Sequence, residues 1–512
     1  MRILTSAEMA AVDRAATRRT RIPSLLLMER AAEGIVRLAR EVAPWMRRAT
    51  ILCGPGNNGG DGLAAARLLA RHGVPSRLVT LSPPARLRGD ARAQWEALRA
   101  EGREAVDASR SFAAALAAIS GADLLIDALF GTGLSRPLSG VARRLVGAAN
   151  GSGVPILSVD VPSGISGDSG AAPGAVIAAH WTGAIAALKR CHVLEPARSL
   201  CGEIAVIDIG IPDGLLETRR HRFAMIGWEA IAPLFPPRAR DSHKGDFGHV
   251  LVVAGSRGKA GAALLCAAGA LRSGAGLVTI ACPESIEARY LSALPEAMTL
   301  PLAEESGAFS SKAAAMLGAL LPGFDAAVVG PGMGTGPGAA AVLAAVRRSA
   351  LPALFDADAL NLHPGRPEAL RRRAATILTP HPGEAARLLG KTIREVQEDR
   401  PAAAEALARR SGATVILKGE ATLVASRGGH LWCNSTGSPA LAKGGTGDVL
   451  AGVGAGFLGQ GLEPVDAAVA AAFVHGLAGE HAERASGERG VLASEVAGRI
   501  GPVLREFERA GA

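Results

Sequence analysis

The sequence predicts an α/β fold with two three-layer domains. Short apolar runs of strand length alternate with longer Ala-, Leu- and Arg-rich segments of helical periodicity along most of the 512 residues. Such alternation favours largely parallel sheets covered by helices. The 64 glycines and 30 prolines interrupt the pattern where strand-to-helix turns are expected. Because a domain holds roughly 150 residues, a chain of this length needs more than one core.

The first α/β series begins with two helices. Ser6 is the expected N-cap of the opening helix, and a second helix is predicted from about Leu25 to Val42. Six short apolar runs then predict strands, at Ala49 to Cys53, Ser76 to Leu81, Leu124 to Ala128, Ile156 to Val161, Ala184 to Leu188 and Ile204 to Ile209.

Prolines and charges break the pattern between about Pro212 and Asp241. We therefore expect a first domain over residues 1–213, a linker over 214–221 and a second domain over 222–512. The second series predicts strands at His249 to Ala254, Leu277 to Ala281, Ala326 to Gly330, Ala353 to Asp356, Thr376 to Thr379, Thr414 to Lys418 and Ala421 to Ala425. No repeat with a period of 20 to 50 residues is visible, which argues against a solenoid.

Composition narrows the function. The net charge is +9, but the cations are scattered along helical segments, and one Tyr and five Trp are few for a nucleic-acid surface. We expect phosphorylated small molecules as ligands and no nucleic acid. Six cysteines without C-x-x-C spacing indicate a reducing compartment and no zinc site. The absence of a long apolar run predicts a cytoplasmic protein without a membrane span.

The most informative stretch runs from Lys443 to Gly452. Glycines at 444, 445 and 447 leave backbone N–H groups uncovered, and a helix that starts near Asp448 points its positive end at the same place. A carboxylate beside an anion-binding turn is suited to take a proton from a hydroxyl while that oxygen attacks phosphorus. The alternative is a helix N-terminus capped by Asp. Three glycines in four positions favour the phosphoryl-transfer interpretation.

Polar residues also end three predicted strands of the first domain. The segment Gly54 to Gly62 contains two asparagines and an aspartate, whose oxygens suit a hard cation as well as a ligand. Asp127 to Gly133 and Asp160 to Gly164 follow two further strands. Strand ends of a doubly wound sheet converge on one crevice, so these segments predict one site. Taken singly, each is also explained as a cap or turn.

These residues resemble the N-terminal domain of the NAD(P)H-hydrate epimerases over about Met1 to Asp213. The resemblance implies a Rossmann-like fold that binds NAD(P)HX, the form of NAD(P)H hydrated at C6 of the nicotinamide ring. Asp160 would reach the nicotinamide end and is the candidate for proton transfer. Potassium would be held by Asn58, Asp127 and Ser163. The substrate would contact Asn57, Asn58, Gly59, Gly60 and Asp61, and also Gly131, Thr132, Gly133, Leu134, Ser135, Arg136 and Pro137.

The second domain carries a comparable series of motifs, and together they resemble the ADP-dependent NAD(P)HX dehydratases of ribokinase-like fold over about residues 222–505. The motifs lie at Gly255 to Ala262, Gly330 to Gly334, Asp356 to Asn361, Thr379 to Glu384 and Lys418 to Thr422. By this resemblance Asp448 is the base, and Mg²⁺ screens the phosphates of ADP. The nucleotide would contact Lys418, Gly419, Glu420, Ala421, Thr422 and Gly447, and the hydrated cofactor Ala262, Gly332, Gly334, His381 and Asp448. Asp358 and Asn361 are weaker candidates to position metal or substrate.

The interpretation that follows is a bifunctional enzyme that epimerises NADHX and NADPHX and dehydrates one epimer, acting as a homo-oligomer. The alternative is a ribokinase-type vitamin or sugar kinase with an attached binding domain, because such kinases also place Asp after a glycine turn. A non-catalytic nucleotide-sensing or RNA-associated scaffold is the third possibility, and only the net charge favours it. Preference for ADP over ATP rests on the resemblance alone.

Overall fold

The computed structural model describes residues 1–134, 136–217 and 222–510. The chain divides into two compact units, Met1–Phe223 and Ala224–Ala512. Among the described residues, no helix has the length and apolar character that a membrane crossing requires.

The first unit is built on a parallel sheet. Its strands are β1 (Ile3–Leu4), β2 (Ala49–Cys53), β3 (Ser76–Thr80), β4 (Ala105–Asp107), β5 (Leu124–Ala128), β6 (Ile156–Val159), β7 (Trp181–Ile185), β8 (Leu188–Lys189) and β9 (Glu203–Ile207). Seven of them form one sheet in the order β4-β3-β2-β5-β6-β7-β9, and all six pairings are parallel. The order around β2 reverses direction between β2 and β5, as it does in Rossmann-like sheets.

Helices cover both faces of this sheet. They are α1 (Ser6–Thr20), α2 (Ser24–Val42), α3 (Asn57–Arg71), α4 (Gly89–Ala100), α5 (Phe112–Ser120), α6 (Gly140–Gly151), α7 (Ala197–Leu200) and α8 (Asp213–Leu216). Ile51 of β2 belongs to the apolar cluster shared with α2 and α3, whereas its neighbour Leu52 belongs to the cluster shared with α5 and α6. The unit therefore has the three layers that the sequence predicts.

Two local predictions for this unit need correction. The N-cap of α1 is Thr5 and not Ser6, because the Thr5 hydroxyl accepts from the Glu8 N–H and the Glu8 carboxylate accepts from the Thr5 N–H. The apolar run predicted as one strand from Ala184 to Leu188 is split between β7 and β8. The break lies at Ala186, whose φ of 62° is incompatible with an extended strand.

The second unit contains a ten-stranded sheet. Its strands are β10 (Phe223–Met225), β11 (His249–Val253), β12 (Leu277–Pro283), β13 (Met298–Leu302), β16 (Ala326–Val329), β17 (Ala353–Phe355), β18 (Thr376–Leu378), β19 (Thr414–Leu417), β20 (Leu423–Ala425) and β21 (Leu431–Cys433), with β14 (Glu304–Glu305) and β15 (Ala308–Phe309) forming a separate hairpin. The order is β10-β21-β20-β19-β18-β17-β16-β11-β12-β13. The β19/β20 and β20/β21 pairs are antiparallel, and β11 to β13 and β16 to β19 pair in parallel.

Helices pack on this sheet in turn. They are α9 (Trp228–Ile231), α10 (Ala260–Arg272), α11 (Glu287–Ala293), α12 (Ala313–Leu320), α13 (Pro337–Arg348), α14 (Asp358–Asn361), α15 (Pro382–Leu389), α16 (Ile393–Glu398), α17 (Arg400–Ser411), α18 (Thr446–Gly459), α19 (Pro464–Ser486) and α20 (Ala493–Ala510). Successive residues of β11, from Val250 to Val253, are all fully buried. Because successive side chains point to opposite faces, both faces are covered. The predicted class of two α/β domains is confirmed.

Candidate active sites

The first site lies where β2, β5 and β6 end. The Gly54 N–H donates to the carbonyl of Ala128 at 2.9 Å, and a Cβ on Gly54 would lie 1.6 Å from the carbonyl oxygen of Leu129. Only glycine permits this approach. The turns that follow β2 and β5 are therefore held against each other, and the predicted ligand segments that follow them, 57–61 and 131–137, start side by side.

The segment from Asn57 to Asp61 forms the first turns of α3. No side chain caps this helix at Gly56, so its first backbone N–H groups remain available to an anion. Gly59 and Gly60 have packing roles, because added Cβ atoms would lie 2.0 Å from the Gly54 carbonyl oxygen and 2.7 Å from Met28 Cε. Asn57, Asn58 and Asp61 are therefore the side chains of this segment that are able to contact a ligand.

Asp127 and Ser163 form a buried polar cluster at the ends of β5 and β6. The Ser163 hydroxyl donates to Asp127 Oδ1 at 2.6 Å, and the Ser163 N–H and Ser158 hydroxyl donate to Oδ2 at 2.8 and 2.9 Å. Burial raises the pKa of Asp127, and the hydrogen bonds from Ser163 oppose that rise. Ser163 Oγ also accepts from the Phe130 N–H at 2.9 Å. The cluster therefore ties β6 to the turn that follows β5.

The predicted potassium ligands pass a chemical test of fit. Asn58 Oδ1 faces Gly131, where a Cβ would be 3.3 Å away, and within the part of the chain that the structure describes Asn58 Nδ2 is buried without a hydrogen-bond partner. Gly131 directly follows Phe130, which Ser163 contacts, so the three predicted side chains converge on one turn. Amide, hydroxyl and carboxylate oxygens suit a hard cation. Among the described residues, no group of three His, Cys, Asp or Glu is placed to hold a metal.

The segment from Gly131 to Pro137 packs against the start of α1. The Ser6 hydroxyl donates to the Thr132 carbonyl at 3.0 Å, and the Ser6 N–H donates to Asp168 at 2.6 Å. Gly133, Arg136 and Pro137 are exposed, and Leu134 is half-buried. The predicted ligand residue Ser135 lies outside the described residues.

Asp160 is held by a buried lysine that the sequence analysis missed. Lys189 is 1% exposed, and its Nζ donates to Asp160 Oδ1 and to the Ile185 carbonyl at 2.6 Å. The Ile185 N–H donates to the same Asp160 oxygen at 3.1 Å. His192 Nε2 lies 2.8 Å from the Asp160 carbonyl. Asp160 itself has a φ of 64°, a strained conformation that these contacts maintain.

A cavity of about 360 Å³ opens beside this pair. Its walls combine apolar side chains, including Met28 and Ile185, with the carboxyl groups of Asp13 and Asp61. Burial, then the negative charges of Asp160 and Asp13, raise the pKa of Asp61 well above its ordinary value. Asp13 was not predicted as a site residue. It lies on α1, far from the motifs in sequence, and only the fold brings it to the cavity.

The second site centres on the start of α18. The N-cap residue Gly445 has a φ of 95°, and Asp448 lies in the first turn. The Thr446 hydroxyl donates to the carbonyls of Leu441 and Lys443 at 2.8 and 2.9 Å. Lys443 Nζ is occupied by the carbonyls of Arg489 and Val491, so this lysine stabilises the turn and does not face the anion-binding glycines.

Asp448 belongs to a charged cluster. Lys418 Nζ lies 2.8 Å from Asp356 Oδ1 and 3.9 Å from Glu384 Oε2. Burial and the Asp356 carboxylate raise the pKa of Asp448 to about 7, and Lys418 opposes them. Burial lowers the pKa of Lys418, but Asp356 and Glu384 raise it by more. A carboxylate whose pKa lies near neutrality is suited to act as a general base. Asp356 and Glu384 lay within the motifs, but neither was predicted as a site residue.

His381 begins α15 as its N-cap. Its Nδ1 accepts from the Gly383 N–H at 3.0 Å, and its backbone N–H donates to Glu384 at 2.8 Å. Half of the side chain is exposed, with Nε2 lying 3.4 Å from Glu384 Oε1. Burial and then the Lys418 charge lower the pKa of His381. The neutral ring is therefore favoured, and its Nε2 is accessible to a ligand.

The predicted cofactor contacts Ala262, Gly332 and Gly334 lie close together. Gly332 has a φ of 63°, and a Cβ on it would lie 3.1 Å from Ala262 Cβ. The Gly334 N–H donates to Asp358 Oδ2 at 2.9 Å, and Lys259 Nζ lies 3.5 Å from the same oxygen. Asp358 therefore fixes this turn.

The predicted nucleotide-binding segment follows β19. Arg400 holds this segment in place, because the Arg400 guanidinium donates to the carbonyls of Glu420, Leu417 and Lys418. Gly419 has a φ of 129°, which glycine adopts without strain, whereas Ala421 is strained at a φ of 48°. The Thr422 hydroxyl donates to the Gly419 carbonyl at 2.7 Å.

Gly447 joins this segment to the glycine turn of α18. A Cβ on Gly447 would lie 3.4 Å from Lys418 Nζ. The predicted nucleotide residues are thus adjacent, with the Lys418 ammonium turned toward Asp356. Arg400 was not predicted as a site residue, because it lies 18 residues before Lys418 and outside the motifs.

Two α/β units, one with a polar cavity at its strand ends and one with a glycine turn beside a carboxyl group of raised pKa, define a two-site α/β enzyme. Family models agree with this division. The model described as YjeF-related protein N-terminus matches residues 24–191, and the model described as NAD(P)H-hydrate dehydratase matches residues 250–501. The chain belongs to the bifunctional NAD(P)H-hydrate repair enzymes.

Relatives of that name match almost the whole chain. The enzyme of Moorella thermoacetica is 38% identical over 99% of this chain and 97% of its own length. The enzyme of Thermofilum pendens is 37% identical over 99% and 96%, and that of Escherichia coli 37% identical over 92% and 87%. The solved ADP/ATP-dependent NAD(P)H-hydrate dehydratase of Bacillus subtilis, co-crystallized with ATP/Mg²⁺, is 32% identical, with a TM-score of 0.49. The match covers 56% of this chain and 99% of that one.

Proposed function

We propose that the chain repairs hydrated nicotinamide cofactors in two steps. The first unit interconverts R- and S-NAD(P)HX at C6, and the second uses ADP to dehydrate S-NAD(P)HX to NAD(P)H, releasing AMP and phosphate. The observation that carries this proposal is the family membership over nearly the full chain. The alternative, a vitamin or sugar kinase with an attached binding domain, is not favoured because the family models match both units.

Dehydration starts at Asp448. Its carboxylate takes the proton of the C6 hydroxyl as that oxygen attacks the terminal phosphorus of ADP, and the bond from this phosphorus to the AMP oxygen breaks. Backbone N–H groups of Gly444 to Gly447 stabilise the charge on the transferred group. The C6–O bond of the phosphorylated hydrate then breaks, a proton leaves C5, and the C5=C6 bond forms. Phosphate is a better leaving group than hydroxide, which explains the use of a nucleotide.

Mg²⁺ supplies charge screening at the nucleotide phosphates when bound. Asp358 and Asn361 are poor candidates to hold it, because a cation already faces each side chain: the Lys259 ammonium lies 3.5 Å from Asp358 Oδ2, and the Arg387 guanidinium donates to Asn361 Oδ1 at 2.9 Å. We infer that the metal enters with the nucleotide. The Bacillus subtilis relative was crystallised with ATP/Mg²⁺, which supports this use of the ion.

Potassium supplies a fixed positive charge at the first site when bound. Asn58, Asp127 and Ser163 would hold it at the N-terminus of α3, where it favours binding of the substrate's phosphates. Asp160, fixed by Lys189, takes and returns the proton of the C6 hydroxyl during epimerisation.

The two-step proposal is tested with a mixture of R- and S-NADHX, Mg²⁺, K⁺ and either ADP or ATP. Formation of NADH, followed by its near-ultraviolet absorbance, is expected to consume both epimers. The faster nucleotide identifies the phosphoryl donor. Recovery that stops at the S share would contradict epimerisation, and no recovery with either nucleotide would favour the kinase alternative. Omission of K⁺ is expected to slow the conversion of the R epimer.

We also propose that the enzyme is a cytoplasmic homo-oligomer. All six cysteines are buried free thiols, which suits a reducing compartment. Light scattering coupled to size exclusion measures the oligomeric state, and a mass equal to the 52.0 kDa of one chain would contradict the oligomer.

A further inference from the structure

Asp13 has no structural partner to explain its place at the first site. It projects from α1 into the cavity beside Met28, Asn57 and Asp61. Among the described residues, neither the Asp13 nor the Asp61 carboxyl accepts a hydrogen bond or forms an ion pair, although Asp61 is only 9% exposed. Buried carboxyl groups are normally paired. The unpaired Asp61 carboxyl inside the cavity and the exposed Asp13 carboxyl on its wall therefore indicate a polar ligand beside them.

Asp13 and Asp160 differ in the charged groups that surround their carboxyl groups. The Asp160 carboxylate forms an ion pair with the Lys189 ammonium, whereas the Asp13 carboxyl group is exposed to solvent. Loss of hydration raises the pKa of Asp13 to about 6, an effect that Lys189 opposes and Asp160 reinforces. The charged groups that face Asp13 are Arg14 and Arg18 on α1, Asp61 on α3, Asp90 on α4, and the Asp160–Lys189 pair. One carboxyl is thus paired with a cation, while the other takes up a proton near neutral pH.

Epimerisation of a hydrated ring requires two proton transfers. C6 carries both the hydroxyl group and the ring nitrogen N1, so ring opening needs a base at the hydroxyl and an acid at N1. Two carboxyl groups in different environments supply these roles. We propose that Asp13 is the second proton-transfer group of the epimerase site, giving a proton to N1 while Asp160 takes one from the C6 hydroxyl. This inference rests on the proposed epimerase function.

The step balances without an oxidant or a further reactant. The O–H proton passes to Asp160, the C6–N1 bond breaks as C6=O forms, and N1 receives the Asp13 proton. Rotation about C5–C6 turns the other face of the aldehyde toward N1. Ring closure then reverses both transfers, so Asp13 and Asp160 return to their starting protonation states with C6 inverted.

The experiment uses the full chain and purified R-NADHX with ADP, Mg²⁺ and K⁺, so that NADH forms only after epimerisation. Asp13→Asn is expected to lower kcat for R-NADHX about 100-fold or more, while the rate with S-NADHX stays unchanged.

In the wild type, kcat/KM for R-NADHX should fall as pH rises above about 6, because the acid loses its proton. This high-pH limb of the profile, the decrease in kcat/KM above about pH 6, should disappear in Asp13→Asn. Glu33→Gln, an exposed acid on α2, is the matched control and should retain both the rate and the limb.

Two results would overturn the role of Asp13. The first is an epimerisation rate in Asp13→Asn equal to that of the wild type. The second is a lower epimerisation rate in Asp13→Asn with the high-pH limb intact, which indicates a structural effect. If Asp13→Asn unfolds the first unit, Asp13→Glu provides the test instead. The high-pH limb of its kcat/KM profile must then lie at a different pH from that of the wild type. If the wild type itself leaves R-NADHX unconsumed, the proposed epimerase function fails, and this failure is distinct from the others.

Discussion

The raised pKa of Asp448 affects both its reactivity and the stability of the second unit. Its pKa of about 7 in the folded state compares with 3.8 as the ordinary value, so the folded state binds more protons between these two pH values. The stability of the second unit should therefore fall as pH rises from about 4 to about 7. The proposed base is the deprotonated form of Asp448, so the dehydration rate should rise with pH over the upper part of this range.

Asp448→Asn is expected to uncouple these effects. Dehydration of S-NADHX should fall about 100- to 10,000-fold because the base is lost, while epimerisation remains. The melting temperature of the variant should exceed that of the wild type at about pH 8 and approach it at about pH 5, since Asn does not titrate. Calorimetry across this range measures the difference. A variant less stable than the wild type at the higher pH would show that the carboxylate is stabilised by Lys418.

Lys189 is the residue whose replacement should most affect the first unit. It is the only lysine among the first 223 residues, in a chain where arginine supplies most cations, and it is fully buried against Asp160. Lys189→Met leaves a buried carboxylate unpaired, which costs roughly 3–5 kcal/mol. Denaturant unfolding of the first unit should reveal this loss, together with loss of epimerisation.

A conservative variant separates charge from packing at this position. Lys189→Arg keeps the cation and should recover part of the epimerase activity. Lys391→Met, an exposed lysine on the second unit, is the control and should change neither property. Equal stability of Lys189→Met and the wild type would contradict a buried ion pair.

At the scale of elements, the position of Asp448 depends on how closely α18 packs on α10. A Cβ on Gly452 would lie 1.9 Å from the Cys266 carbonyl oxygen, and one on Gly456 would lie 1.9 Å from Ser273 Oγ. Gly452→Ala should push α18 outward and shift its first turn, because the opposing atom is backbone. We expect a loss of more than about 2 kcal/mol in unfolding free energy, together with a lower dehydration rate.

A second glycine-to-alanine change provides the matched control. Gly498 lies within α20, and nothing lies within 4 Å of an added Cβ. Gly498→Ala should stabilise the helix by about 1 kcal/mol through helix propensity alone, with unchanged activity. Similar effects of Gly452→Ala and Gly498→Ala would show that close helix packing does not determine the first turn of α18.

The elements also explain what could be predicted from the sequence. Glycine-rich turns after apolar runs are local signals, so the strand end that carries Asp127 and the helix start that carries Asp448 were predicted from the sequence. Asp13, Glu384 and Arg400 reach the two sites only because the fold brings segments that are distant in sequence together. For Lys189 a signal existed, since a single lysine in an arginine-rich segment is unusual, but β7 and β8 were read as one strand. The turn at Ala186 that carries Lys189 toward Asp160 was therefore missed.

At the scale of the whole molecule, each site is assembled within a single unit. The residues that hold Asp160 all precede Phe223, and those that surround Asp448 all follow Ala224. Fusion serves the chemistry because a dehydratase that uses one epimer leaves the other unrepaired. Each motif series in the sequence belongs to one of these units, since its segments follow strands of that unit's own sheet.

Independent sites predict complementation between variants. Asp160→Asn should dehydrate only S-NADHX, and Asp448→Asn should only epimerise, so neither alone converts R-NADHX to NADH. A mixture of the two should convert it, because the S epimer released by one molecule is a diffusible substrate for the other. The rate should rise with the concentration of Asp448→Asn until dehydration limits it, as the absorbance of NADH would record. A mixture that stays inactive, although each variant retains its own activity, would instead mean that the epimer passes between sites of one assembly without release.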